Sequence, residues 1–184
     1  MQEGTMTSKT FTLTSIALMT AVTCILGPLA IPIGPVPVSL TPLAVFLSVY
    51  ILGTKKGTLA TILYLLIGAV GVPVFSGFAG GLGKLAGPTG GYLIGFIFMA
   101  LISGWFIFRF YDKVVIQFLG MLLGLAVLYA FGTAWLSISA GMSFGAALAA
   151  GVIPFIGFDI AKIIVAILLG RAVRKRLQGV VPLD

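Results

Sequence analysis

Long apolar blocks follow one another along this chain, separated by short polar turns or by stretches rich in glycine and proline. At about 20 residues per bilayer crossing, the blocks predict six helices, over residues 11–27, 41–53, 57–71, 90–109, 114–139 and 152–171. The first ends at Gly27 and Pro28. The segment GPLAIPIGPVPVSLTP then places Pro28, Pro32, Pro35, Pro37 and Pro42 in a row. Each removes a backbone donor, so no regular helix is expected there. An apolar irregular loop at membrane depth is tolerated only against protein or a cavity. GTKKGT (53–58) reads as the second-to-third turn and RFYDK (109–113) as the fourth-to-fifth. A glycine-dense connection, GVPVFSGFAGGLGKLAGPTGG (71–91), carries one charge, Lys84. Its glycines permit close backbone approach to a ligand.

Composition turns the helices into membrane spans. Hydrophobic residues make up 60% of the 184 and charged ones 8%, with a mean hydropathy of +1.23, far from the balance of a soluble domain. The expected fold class is an all-α integral membrane protein: one six-helix domain, residues 1–184, with Pro- and Gly-rich outer loops capping a cavity. Of the 11 basic residues, Lys9, Lys55, Lys56, Arg109, Lys113, Arg171, Arg174, Lys175 and Arg176 fall in the leader, the second-to-third turn, the fourth-to-fifth turn or the tail. Six spans put these on one side, which the positive-inside rule makes cytoplasmic. Both termini are therefore expected in the cytoplasm of a multi-pass cell-membrane protein. No basic patch is interleaved with aromatics, so nucleic acid is not a partner class. The first apolar run ends without a convincing cleavage site and is read as mature structure.

Lys84 and Lys162 are left over, on the outer side with Asp159. In VIPFIGFDIAKIIVA (152–166), Asp159 and Lys162 are three residues apart on one helix face. Counting 1.5 Å per residue from Pro154 puts them roughly 7 to 8 Å and about 12 Å below the outer end. Intramembrane charges usually face an interior cavity and mark function. The same spacing also suits a closed ion pair that only holds helices together. With Lys84 the three charges sum to +1 when ionised, which a monoanionic small molecule would neutralise. Phe75, Phe78 and Tyr92 are candidates to flank an apolar ligand body, whereas Trp135 is read as a packing or interfacial residue.

Other chemistry is excluded. There is no histidine, so neither an HExxH site nor a Ser-His-Asp triad exists. The lone Cys24 permits no disulfide or paired-cysteine metal site, and neither a metal nor a cofactor is expected. Gly81, Gly83 and Ala86 fit G-x-G-x-x-A but follow no strand, and Leu85 stands where a P-loop needs Ser or Thr. One Asp with two Lys is a poor set for an intramembrane enzyme. No inverted repeat of broken helices marks a self-sufficient carrier. Ala17 and Ala21 form a small-xxx-small pair on the first helix, suited to close helix approach within the bundle or with a partner.

Several motifs in this order carry a resemblance: GAVGVPVF (68–75), GPTGGYLIGF (87–96), the spacing of Gly132, Trp135, Gly141 and Ser143, and Pro154-Phe155 followed by D-x-x-K at Asp159 and Lys162. From about Ile16 to Arg176 the chain resembles the BioY family, the biotin-binding S components of energy-coupling factor (ECF) transporters. The resemblance implies a six-helix protein that captures biotin from outside. It would deliver the vitamin through a transmembrane T component and two ATPases. It adds Thr89, Gly90 and Gly91 to the candidate ligand set, and Ala17 and Ala21 resemble the surface presented to the T component. Two departures are Thr41-Pro42, where a Gln is expected, and Phe158 in place of a small residue. An S component for another small vitamin and a self-sufficient secondary carrier are the alternatives.

Overall fold

The computed structural model describes residues 3–33 and 35–177. In chain order the elements are α1 (Glu3–Leu26), β1 (Ala30–Ile31), β2 (Val38–Ser39), α2 (Thr41–Leu52), α3 (Thr54–Ala69), α4 (Leu82–Ala86), α5 (Gly90–Arg109), α6 (Val114–Ser139), α7 (Phe144–Gly151) and α8 (Ile156–Leu177). By length and composition α1 from Lys9, α5 and α6 can each cross a bilayer, and α7 with α8 can form a fourth span, bent by 49°. The six expected spans also count α2 and α3, which have 12 and 16 residues and are shorter than a span of about 20. The terminal residues expected in the cytoplasm lie outside the described residues.

Several boundaries differ from the sequence expectation, each for a local reason. The leader is helical from Glu3, since it contains no proline to interrupt the helical ladder. GTKKGT is not a six-residue turn. Only Gly53 leaves the helical conformation, at φ 95° and ψ 169°, and α3 starts at Thr54 with Lys55 and Lys56 in its first turn. The proline-rich loop holds a minimal antiparallel hairpin, Ala30 opposite Ser39 and Ile31 opposite Val38; its prolines lie outside the paired positions, where no ladder donor is needed. The last span starts at Ile156 rather than Val152. Pro154 cannot donate, and the chain breaks there between α7 and α8.

In a bilayer, helices associate through close packing more than through expulsion of water. The longest pairing runs between α5 and α6, while α2 packs against α3, α5 and α8, and α1 lies on α3 and α2. Phe46, Tyr50, Tyr64, Phe75, Met99 and Met121 are fully buried at the centre. Tyr64 and Phe75 meet edge to face with ring centroids 5.6 Å apart, which fixes the glycine-rich loop onto α3. At the opposite end the buried Gln117 accepts from the Tyr50 hydroxyl and donates to the Phe110 and Tyr111 carbonyls. These bonds tie the α5–α6 turn to α2. The two loops also touch, because the Gly77 N–H donates to the Pro28 carbonyl at 3.1 Å.

The reversal at Gly53 uses a backbone region open essentially only to glycine, where another residue costs about 1–3 kcal/mol. Gly53→Val is therefore expected to lower the thermal unfolding midpoint of the detergent-purified protein. An unchanged midpoint would refute the single-residue turn.

Candidate functional site

One end of the bundle encloses a cavity of about 550 Å³, counting space open to solvent. Its wall comes from Val36 to Ser39 of the hairpin, Pro42 at the start of α2, and Phe75 and Ser76 of the glycine-rich loop. Lys84 of α4 and the first turns of α5 at Tyr92, Leu93 and Phe96 continue it, and α6 adds Leu128 and Tyr129. Phe155, Asp159 and Lys162 complete it. The basic turns after α2 and α5, and the basic end of α8, lie at the other end of these helices, so the cavity and the cationic surface are segregated along the bundle.

The break before α8 sets Asp159 in the first turn of that helix, its N–H bonded to the Phe155 carbonyl at 2.8 Å. Asp159 and Lys162 are buried, 4% and 8% exposed. The Lys162 Nζ donates to Asp159 Oδ1 at 2.7 Å, and the Tyr129 hydroxyl of α6 donates to Oδ2 at 2.6 Å. Each carboxylate oxygen thus holds one charged or short partner, and each retains a further lone-pair direction for a ligand donor. The closed ion pair and the cavity-facing pair, open alternatives in the sequence, coexist in one geometry. Lys84 is half-buried on the cavity wall and, among the described residues, its side chain has no hydrogen bond or ion pair. The cavity's uncompensated positive charge therefore sits on Lys84.

The remaining candidates divide. Phe75 and Tyr92 line the cavity, and the Tyr92 hydroxyl donates to the Gly151 carbonyl at 3.0 Å. Thr89 also lines it, with a buried Oγ1 that has no partner among the described residues. Phe78 does not. It is 67% exposed at the loop tip, with φ 57° following the positive φ of Gly77. Gly90 and Gly91 are not on the wall either; their Cα atoms abut the Leu85 carbonyl and the Trp135 side chain, and larger residues would overlap both. Trp135 has a packing role, donating from Nε1 to the Gly87 carbonyl at 2.9 Å. Ala17 and Ala21 are both exposed on α1, beside exposed Leu18 and Ile25, rather than packed inside the bundle.

Sequence reasoning missed Tyr129, Ser39, Ser76 and the hairpin residues. Tyr129 had one usable signal: it precedes Gly132 and Thr133 on the buried stripe of a long apolar helix, where a hydroxyl needs a partner. Among the described residues no cluster of His, Cys, Asp and Glu could hold a metal ion.

The chain matches the sequence profile of the BioY family over residues 2–179. The chain belongs to the BioY family. It is 38% identical to biotin transporter BioY2 of Lactococcus lactis, over 93% of this chain and 94% of that protein. It is 39% identical to biotin transporter BioY of Thermotoga maritima, over 86% and 92% respectively. Its fold matches the crystal structure of the S-component for biotin from an ECF-type ABC transporter, with a TM-score of 0.85, 32% identity and 95% of each chain covered. The protein is an all-α, multi-pass membrane protein with the S-component fold.

The Tyr92 ring, whose hydroxyl bonds the Gly151 carbonyl, packs directly against Gly132, where a Cβ would overlap it. Overpacking of this kind costs typically 1–3 kcal/mol. Gly132→Ala is expected to reduce thermal stability in detergent, and Gly132→Ala combined with Tyr92→Leu to recover most of the loss. A double variant with the summed losses of the two single changes would show that the ring and the glycine act independently.

Proposed function

We propose that this protein is the biotin-binding S component of an ECF-type vitamin uptake transporter. It binds biotin from outside and hands it on, chemically unchanged, through a transmembrane T component and two ATPases. The observation that carries the reading is the likeness, over almost the whole of both chains, to a biotin S component, and the cavity chemistry suits that ligand. The family is one of transporters, not of enzymes. Positive residues at the end away from the cavity support a cytoplasmic position for that end, with the cavity facing out of the cell membrane.

Biotin has a ureido ring with two N–H donors and a carbonyl, a thioether-containing body and a flexible carboxylate tail. Asp159 is the ring acceptor. Tyr129 and Lys162 hold its two oxygens in place by donating to them from either side. Phe75 and Tyr92 flank the apolar body, and Thr89 offers the ligand a hydroxyl that the protein leaves unsatisfied. Lys84, the unpaired cation, meets the tail carboxylate. Removing one partner of a desolvated charged pair costs roughly 2 to 5 kcal/mol, so Asp159→Ala is expected to weaken biotin by about 30-fold or more. Biotin methyl ester should weaken binding to the unmodified protein. It should add little to the loss in Lys84→Met, because the two changes remove the same contact. Equilibrium binding that leaves Asp159→Ala at full affinity refutes the ring assignment, and additive losses for Lys84→Met and the ester refute the tail assignment.

Ala17 and Ala21 support a T-component contact, since small residues exposed on a lipid-facing helix permit close approach of a partner helix. In proteoliposomes the protein alone should bind biotin without accumulating it, and ATP-driven uptake should require the T component and both ATPases. Ala17→Leu with Ala21→Leu is expected to abolish uptake and leave binding intact. Uptake by the protein alone would make it a self-sufficient carrier instead, and undiminished uptake by the double variant would remove the alanines from the contact.

A further inference from the structure

Away from the biotin cavity, the seam between α6 and α8 carries two grooves that share one helical stripe. The first, about 590 Å³ with solvent-open space, is walled only by apolar side chains: Val114, Val115 and Phe118 against Ile164, Ile167 and Leu168. The second, also about 590 Å³, is formed by Tyr111, Arg171, Ala172 and Lys175. On α8 the positions 164, 167, 168, 171 and 175 recur at helical spacing and lie on one face. On the facing side Phe118, Val115 and Tyr111 follow each other down α6 into the turn before it. The grooves are therefore two halves of one channel, greasy within the membrane and cationic at its edge. From Ile164 to Lys175 the stripe rises about 16 Å at 1.5 Å per residue, within the depth of one leaflet of a bilayer about 40 Å thick across its polar regions.

The basic half is poorly neutralised. Arg171 gives one donor, from Nη1, to the Tyr111 carbonyl at 3.0 Å, lies over the Tyr111 ring and approaches the Tyr50 hydroxyl, which leaves further donors of its five for a ligand. Arg174 stacks on the rings of Phe108 and Tyr111, 4.1 and 4.2 Å from their centroids, and its Nη1 is buried without a hydrogen bond. Neither arginine, nor Lys175, has a carboxylate partner among the described residues, and Asp112 in the adjoining turn makes no ion pair with them. Meanwhile Val115, Ile164 and Leu168 are 71%, 48% and 64% exposed. An occupant must offer a negative head, fixed by planar guanidinium donors, and a hydrocarbon body to fill the apolar half.

We infer that the α6–α8 seam binds one anionic phospholipid, its phosphate held by Arg171 and Lys175 beside Tyr111 and one acyl chain laid along Val115, Phe118, Ile164 and Leu168. Basic pockets between transmembrane helices on the cytoplasmic side suit such headgroups. Its headgroup lies at the opposite end of α8 from Asp159, and none of the residues along its chain lines the vitamin cavity.

Native mass spectrometry of the full chain can test this, using micelles doped with equal amounts of dioleoyl phosphatidylglycerol and dioleoyl phosphatidylcholine. One phosphatidylglycerol should be retained in preference to phosphatidylcholine. At about 1 kcal/mol per basic residue near a membrane surface, Arg171→Met with Lys175→Met should weaken retention roughly 30-fold, and Lys175→Met alone roughly fivefold. The single change involves an exposed side chain without a hydrogen bond, so it stays informative where loss of the Arg171 bond impairs folding; retained biotin binding verifies the fold of both variants. Leu168→Trp, which fills the apolar half, should also reduce retention, and glycerophosphoglycerol, lacking acyl chains, should not displace the lipid. Equal retention of the two lipids, or phosphatidylglycerol retention that survives the charge removal, overturns the inference. Displacement by glycerophosphoglycerol would make the pocket a site for free phosphates. Variants that keep the lipid but lose ATP-driven uptake with the partner subunits would make it a protein contact.

Discussion

Two opposite charges buried within an otherwise apolar bundle impose the strictest demand on this fold. Either charge alone, removed from water, costs several kcal/mol, and their attraction offsets this only when geometry is good and the remaining polar atoms are satisfied. Asp159 and Lys162 come from the same helix, which fixes their spacing, but one carboxylate oxygen still needs a donor. Tyr129 supplies it from α6. That single bond requires α6 and α8 to hold register near the cavity, and the register depends on what α6 touches elsewhere. The close α5–α6 pairing, with Tyr92 seated on Gly132, provides it. The cavity is thus a by-product of satisfying a charge.

The helices and the Asp–Lys pair were legible in the sequence because both depend on local spacing. Apolar runs mark segments that must pair their backbone internally, and an i, i+3 separation determines a shared face. What was not legible depends on contacts between distant segments. Tyr129 looks like any interfacial or packing tyrosine until α8 is placed beside it. Phe75 and Phe78 are two aromatics in one glycine-rich loop, and only the positive φ values at Gly77 and Phe78 send one to the core and leave the other exposed. The prolines correctly excluded a helix between Gly27 and Thr41, yet the hairpin needs just two paired residues per strand, too few for any alternation to register. Gly90 and Gly91 stand in a motif beside the ligand wall, but their smallness serves Leu85 and Trp135.

The molecule is polarised along its helices. Hydroxyls, one carboxylate and two lysines gather where the loops converge, whereas arginines and lysines crowd the other end, with Arg109, Arg171 and Arg174 stacked on Phe108, Phe110 and Tyr111. Each of α5, α6 and α8 has one end in each region. The face of α1 that bears Ala17 and Ala21 belongs to neither and is exposed among the described residues. The cavity, the cationic end and the exposed α1 face are thus three separate surfaces of one small domain.

The 49° bend between α7 and α8 also has an electrical consequence. A continuous helix through residues 144–177 would have every amide near Asp159 engaged in its own ladder and no terminus inside the protein. The break creates an interior helix start, whose aligned peptide dipoles act as about half a positive charge at that end. The same break leaves the end of α7 at Gly151 on the cavity wall, and its opposite partial charge offsets that of the α8 start; with Asp159 and Lys162 cancelling each other, the net charge at the cavity is that of Lys84. One uncompensated positive charge on the wall of an enclosed space makes it electrostatically better suited to an anion than to a cation of the same size and shape.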